Sequence, residues 1–363
     1  MYKRQDKGIL KIEDKPAIYI YEEEFSVGNT RKSIKGIIAR VQLEEFSKGI
    51  ILPHEFTLSK AKEDRLNLMK ATNCNFSQIY ALYMDEKHTT LATIDEQSKA
   101  KADLEFTDET GVTHRLWIET DEEIIAKLVA DFADRKLYIA DGHHRYETAL
   151  NYRNYCRENG ISKPGDPQDF QMIYLVDMEH PGLVVFPTHR LVRDLPNFDK
   201  EAVLEKCSEF FYIDEKEGTD TMEEDLKKLY DEGKKAFGFY CGKGEWFLLT
   251  LKNIDIMSQM LPNVSKASQS LDVSVLHTLI LEKIFGIDKE NMAKQINLTY
   301  TKFFTEAIDG VDKGEFQCSF VLNPTRVTEI RDVAAAGEKM PQKSTYFYPK
   351  MITGMVMNNL GVD

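Results

Sequence analysis

Basic charge, paired cysteines and long apolar runs are all scarce in this chain of 363 residues, and each scarcity argues against a class of function. Lysine and arginine number 47 against 60 aspartates and glutamates, giving a formal net charge of −13 and a pI near 5.3. A polynucleotide is gripped through its phosphates by a basic face. The short runs Lys227-Lys228 and Lys234-Lys235 lie among carboxylates, so a polynucleotide partner is disfavoured, while a local pocket for a small phosphate is compatible. The five cysteines (Cys74, Cys156, Cys207, Cys241 and Cys318) are odd in number, widely spread and without a Cys-x-x-Cys pair, which speaks against a disulfide framework or a zinc knuckle. Residues 1–7 lead into no apolar signal segment, and no stretch approaches the roughly 20 apolar residues that span a bilayer. The expectation is a reducing, cytoplasmic setting with no membrane partner. Oligomeric state is left open, a homodimer included.

Common catalytic strings are also missing. There is no His-Glu-x-x-His zinc helix, no Gly-x-Ser-x-Gly elbow, no Walker-type phosphate loop and no Gly-x-Gly-x-x-Gly turn. What is present is an ordinary globular composition, 42% hydrophobic and 29% charged, over a length that suggests about two domains.

Along the chain, Ala17–Tyr21 and Ser33–Leu43 read as a hairpin around Gly28 and Asn29. Residues 57–71 read as a helix with Leu58, Leu66 and Met69 on one side, and Gln78–Met84 as a buried strand. Arg115–Glu119 reads as a strand, followed by Thr120-Asp-Glu-Glu123 in the form of a capping box. The helix it opens carries Ile124, Leu128 and Phe132, with Ile125 and Val129 beside them, as its apolar face. Leu137–Ala140 is a short apolar strand running into a helix near Tyr146–Arg157, then a buried strand Phe170–Met178; this alternation predicts an α/β layer. A second unit is expected from about Pro196, with a hairpin 236–251, a helical segment Val273–Phe285 and a helix from Thr325. The fold class is therefore α/β (α+β mixed), divided into 1–195 and 196–363, the latter ending in a segment that is a candidate to pack back on the site.

The chemistry concentrates in Asp141-Gly142-His143-His144-Arg145, at a strand-to-helix turn. A helix start presents unpaired backbone N–H groups, and its dipole favours an anion. Gly142 permits close approach or a positive φ. The two histidines and Arg145 add donors, a guanidinium can grip phosphate through two parallel bonds, and Asp141 can accept a proton or hold Mg²⁺. Each residue singly has a bland structural explanation, as a cap, a core histidine or a surface ion pair. All five together are costly to bury without a purpose. Weaker candidates are His54-Glu55, for which a surface pair is the default, His189-Arg190, which an exposed turn explains equally well, and Lys343 before an aromatic run. His277, on an apolar helix, is expected to be core.

Three stretches carry a resemblance: Ile139-Ala-Asp-Gly-His-His-Arg-Tyr-Glu-Thr-Ala-Leu150, Leu183–Leu191 ending Pro-Thr-His-Arg-Leu, and Met340-Pro-Gln-Lys-Ser-Thr-Tyr-Phe-Tyr-Pro-Lys350. Together they resemble the bacterial and archaeal domain-of-unknown-function 1015 family, over nearly the whole chain. The usual N-terminal Pro-Tyr-Asp motif of that family is missing, so a truncated or unusual start is expected. More remotely, Pro53-His54-Glu55 followed by Asp141–Arg145 is similar to the ParB/sulfiredoxin-like superfamily, which includes free serine kinases.

That resemblance implies a ParB/sulfiredoxin-like N-terminal unit. It implies Glu55 as catalytic base, Asp141 as acid or Mg²⁺ ligand, and His144 with Arg145 as the phosphate grip, although the two motifs stand further apart here than in those kinases. Catalytic roles are thus expected at Glu55, Asp141 and His144, metal binding at Asp141 and Glu55, and substrate or phosphate contacts at His54, Gly142, His143, Arg145, His189, Arg190 and Lys343. The expected activity is Mg²⁺-dependent phosphoryl transfer on a small hydroxylated or phosphorylated molecule, serine or phosphoserine first, with a nucleotide or other phosphate donor. The alternatives are a nucleotide- or metabolite-binding regulator without turnover, and a phosphodiesterase or nuclease.

Overall fold

A computed structural model describes residues 7–8, 10–55, 57, 59–218 and 221–361, and for residues 59–61 the backbone alone. Its contacts divide the chain into two compact units. The first comprises residues 1–53, 57–183 and 349–363; the second comprises 54–56 and 184–348. The division therefore falls at Leu183/Val184, not near Pro196, and the last residues belong to the first unit.

The first unit is built on an eight-stranded sheet. Its strands are β1 (Ile18–Val27), β2 (Thr30–Gln42), β3 (Ile51–Leu52), β5 (Ile79–Tyr83), β6 (Leu104–Thr107), β7 (Thr113–Glu119), β8 (Leu137–Asp141) and β9 (Phe170–Asp177), in the order β3-β8-β5-β9-β2-β1-β7-β6. The hairpin turn at Gly28-Asn29 is as expected, but its strands run several residues closer to the turn on both sides. Charge hides this in the sequence. Arg115 on β7 bonds Glu22 at 3.2 Å and Glu24 at 2.7 Å on β1, so two apparently loop-like glutamates are satisfied across the ladder. β5, β8 and β9 are almost wholly buried, which is why they read as continuous apolar runs.

Among the described residues, the α-helices of this unit are α1 (Ser59–Thr72), α2 (Thr89–Gln97), α3 (Glu122–Asp131) and α4 (His143–Glu158). Leu58, expected on the apolar face of α1, lies outside the described residues. The cap of α3 is Asp121, whose carboxylate accepts from the N–H groups of Glu123 and Ile124, one residue later than the predicted Thr120. Val129, counted with the apolar face, is 62% exposed, while Leu128 is buried. The alternation β8-α4-β9 does not form a parallel crossover: both strands flank β5, which is antiparallel to β8 and parallel to β9. β4 (Cys74–Asn75) pairs with β18 (Asn358–Asn359), so the end of the chain is stitched into the first unit.

In the second unit, a six-stranded sheet has the order β12-β14-β13-β16-β11-β15, with every pairing antiparallel. The strands are β11 (His189–Val192), β12 (Phe211–Glu217), β13 (Ala236–Tyr240), β14 (Glu245–Leu251), β15 (Leu298–Thr301) and β16 (Cys318–Val321). A separate ribbon pairs β10 (Val184–Phe186) with β17 (Tyr346–Tyr348). The expected helix at 273–285 begins as α-helix over Asp272–Val275 and continues as π-helix over Leu276–Glu282. The molecule is a mixed α/β protein, as anticipated.

Inside the first unit, Glu23 is 1% exposed and accepts a hydrogen bond from Tyr21 Oη at 3.1 Å; the same hydroxyl meets His114 Nδ1 at 2.7 Å. Burial pushes the Glu23 carboxyl up to about 7, despite the Tyr21 bond. An acid whose folded pKa is raised adds stability below its unfolded value, and loses it as pH rises through the folded one. Stability should therefore fall between about pH 4.5 and 7, by on the order of 3 kcal/mol from this group. Glu23→Gln should flatten that slope in urea melts; an unchanged slope would remove Glu23 as its source.

Candidate functional site

β8 ends at Asp141, where the ladder with β5 is interrupted by an irregularity between Tyr80 and Ala81. Such an irregularity re-aims the side chains beside it. Gly142 follows with φ 101° and serves as the N-cap of α4, contributing no side chain to the helix start. A Cβ there would be strained, and would meet the Nε and Nη2 of Arg145 at 3.0 Å. The glycine thus lets the Arg145 guanidinium fold back over the turn.

That guanidinium joins two elements. Its Nη2 donates to Asp141 Oδ2 at 2.7 Å, and its Nη1 to the carbonyl of Gln78, just ahead of β5. Lys350, 209 residues further along, donates from Nζ to Asp141 Oδ1 at 2.8 Å. One carboxylate therefore holds two cations, one on each oxygen. Burial works to raise the Asp141 carboxyl, but Lys350 and Arg145 outweigh it and hold the group below its ordinary value. For Arg145, burial lowers the pKa, Asp141 acts in the opposite direction, and nearby Arg65 adds to the depression. Arg65 and Arg145 line a cleft of about 100 Å³ together with Asn75, Ser77 and Gln171. Leu68, Met69, Cys74 and Phe76 make the rest of that wall largely apolar, so what the cleft offers an anion is its two guanidiniums.

The expected metal fits less well. Both oxygens of Asp141 are taken by cations, which would repel Mg²⁺, and Glu55 accepts the backbone N–H of Lys343 at 3.3 Å. Among the described residues no group of three or more His, Cys, Asp or Glu side chains gathers as a metal site. Asp141, with its lowered pKa, is also unsuited to act as a general acid near neutrality. Its visible work is to position Arg145 and Lys350.

The family model described as "protein of unknown function (DUF1015)" matches residues 1–274. This chain belongs to the DUF1015 family. No curated protein matches it. Among solved structures, this DUF1015 chain is similar to a conserved hypothetical protein from Pyrococcus furiosus at 15% identity, TM-score 0.41, covering 89% of this chain and 95% of that one. It is also similar to a mutant free serine kinase in complex with ADP, at 12% identity, TM-score 0.42, with 85% and 87% covered. A third likeness is to SbnI with a C-terminal truncation from Staphylococcus aureus, at 10% identity, TM-score 0.40, with 88% and 85% covered.

The sequence candidates of this DUF1015 protein separate between the two units. Asp141, Gly142, His143, His144 and Arg145 lie in the first, with His143 buried and His144 half-buried on the first turn of α4. His54, Glu55, His189, Arg190 and Lys343 lie in the second. His54 is buried, with Nε2 3.2 Å from Thr345 Oγ1, so it is no surface residue. His189 and Arg190 are not an exposed turn either: both are buried on β11. Lys343 contributes its backbone, at φ 59°, its carbonyl accepting from Arg190 Nη2 at 3.1 Å. His277 is buried, as expected of a core residue.

Lys350 and Arg65 were not singled out from the sequence, because a partner 209 residues away leaves no local pattern. Replacing Lys350 by Met should make the fold more acid-sensitive. The lowered pKa of Asp141 contributes stability above the ordinary value of 3.8, and that contribution is lost as pH falls through the folded value. The acid-unfolding midpoint, followed by circular dichroism, should rise in the variant; coincident curves would show that this ion pair adds nothing in water.

Proposed function

We propose that the first unit binds the phosphate groups of a nucleotide at the head of α4, and that the protein transfers a phosphoryl group to or from the hydroxyl of a small metabolite, with serine the first candidate. The observation that carries this reading is the pair of cations, Arg145 and Lys350, held over an uncapped helix start by the single carboxylate of Asp141. An arriving phosphate would find backbone donors, a guanidinium fork and an ammonium already oriented. Phosphoryl transfer asks of a protein chiefly position and charge neutralisation, and the two oriented cations would supply both. Arg65 extends the positive lining along the neighbouring cleft. His144 is the member of the turn proposed to handle the hydroxyl proton, because the ionised Asp141 is engaged by its two cations.

Phosphorus NMR on the purified protein tests this directly. Serine is supplied with ATP, ADP or pyrophosphate, and phosphoserine is supplied alone, each with the wild type and with Arg145→Ala. New phosphoserine, or phosphate released from it, should slow roughly hundredfold or more in the variant. A parallel calorimetric titration with AMP and ADP should weaken about tenfold with Arg145→Ala. Absence of turnover with nucleotide binding intact would reduce the function to a binding role. Absence of both would overturn the reading.

A further inference from the structure

Arg190 of the second unit is fully buried, yet no carboxylate pairs with it among the described residues. Its guanidinium donates from Nη1 to the carbonyl of Thr188 and from Nη2 to the carbonyl of Lys343, and Nη2 lies 3.2 Å from His277 Nε2. Its Nε has no hydrogen-bond partner among the described residues. The ring of Tyr300, directly across the ladder on β15, lies 5.4 Å from the guanidinium carbon. A buried cation satisfied only by neutral groups leaves a positive field that water cannot screen.

Beside it lies a cavity of about 350 Å³, whose wall includes His277 and Tyr300, the two side chains in contact with Arg190. The remaining wall is divided by character. Leu261, Val264, Met292 and Ala293 supply apolar surface, Ser274 and Thr278 hydroxyls, and Lys289, Lys339 and Glu282 charges. His277 and Glu282 both come from the π-helical stretch, an uncommon geometry that recurs at functional sites. Burial, reinforced by Arg190, holds His277 neutral. With Nε2 turned to the Arg190 donor, the imidazole proton resides on Nδ1, which makes no hydrogen bond among the described residues. A volume near the lower end of ligand pockets, mostly apolar with a few convergent polar groups, fits a small molecule.

We propose that this cavity binds a small organic carboxylate, its apolar body against Leu261, Val264 and Met292 and its carboxylate received by His277 and Tyr300 in front of the buried Arg190. Arg190 behind the wall and Lys289 and Lys339 in it outnumber Glu282, which suits an anion, and the apolar residues suit one with an organic body. The site lies wholly within the second unit and is independent of phosphate binding at Asp141, so either can fail alone.

Ligand-observed NMR and calorimetry on the full chain provide the test, with acetate, phenylacetate and octanoate as probes, methyl phenylacetate as the uncharged control and phenyl phosphate as the phosphate arm. At least one of the two larger acids should bind saturably, at least tenfold more tightly than acetate or the ester. Tyr300→Phe should weaken it roughly tenfold. Arg190→Met removes the charge but also a core side chain, so Ala293→Trp, which plugs the cavity from an exposed position, serves as a second variant and should abolish binding. No saturable binding of any acid, equal binding of acid and ester, tighter binding of phenyl phosphate, or binding indifferent to Ala293→Trp would each overturn the proposal.

Discussion

The carboxylate of Asp141 is where the first unit's separate pieces of chain are joined by charge. It ends β8, receives Arg145 from the first turn of α4, and receives Lys350 from residues that follow the whole second unit. Arg145 in turn ties the turn to the carbonyl of Gln78 at the entrance of β5. A carboxylate with a cation on each oxygen stays ionised, and an ionised carboxylate fixes the direction of both partners. The cluster is half-buried, and the shared carboxylate gives each cation a defined position.

The second unit instead buries a cation completely. Arg190 has carbonyls, an imidazole and an aromatic ring around it and, among the described residues, no acid paired with it. Where Asp141 localises charge by pairing, Arg190 lets its field extend into the neighbouring wall. Burial and Arg190 together push His189 down to about 3, so that a histidine adjacent in sequence is kept neutral as a core group. Two arginines in one chain are thus held in different ways, one by an acid and one by neutral groups.

Much of the framework could be read from residue order. The hairpin at Gly28-Asn29, the buried strands β5, β8 and β9, and the turn from β8 into α4 all follow from periodicity and from glycine placement. What stayed hidden were relations over long separations. The triplet Glu22-Glu23-Glu24 looks like a loop until Arg115 is set across from it, with Glu23 pointing to the buried side. Strand direction was equally illegible, since β8-α4-β9 has the order of a parallel crossover while β5 lies between its strands. The histidine pairs misled in a different way: His54 and His189 carry polar atoms that read as surface, and only packing shows them to be interior. Lys343 was noticed for its ammonium, whereas its backbone makes the contacts.

The return of residues 349–363 to the first unit has a consequence for biosynthesis. On the ribosome, β8 and α4 emerge long before Lys350 and β18, with the entire second unit translated in between. For that interval Asp141 holds at most one of its two cations, and β4 lacks its partner strand. The nascent first unit is therefore incomplete until residues 349–361 have emerged, so the cationic cluster forms only after the second unit has been translated.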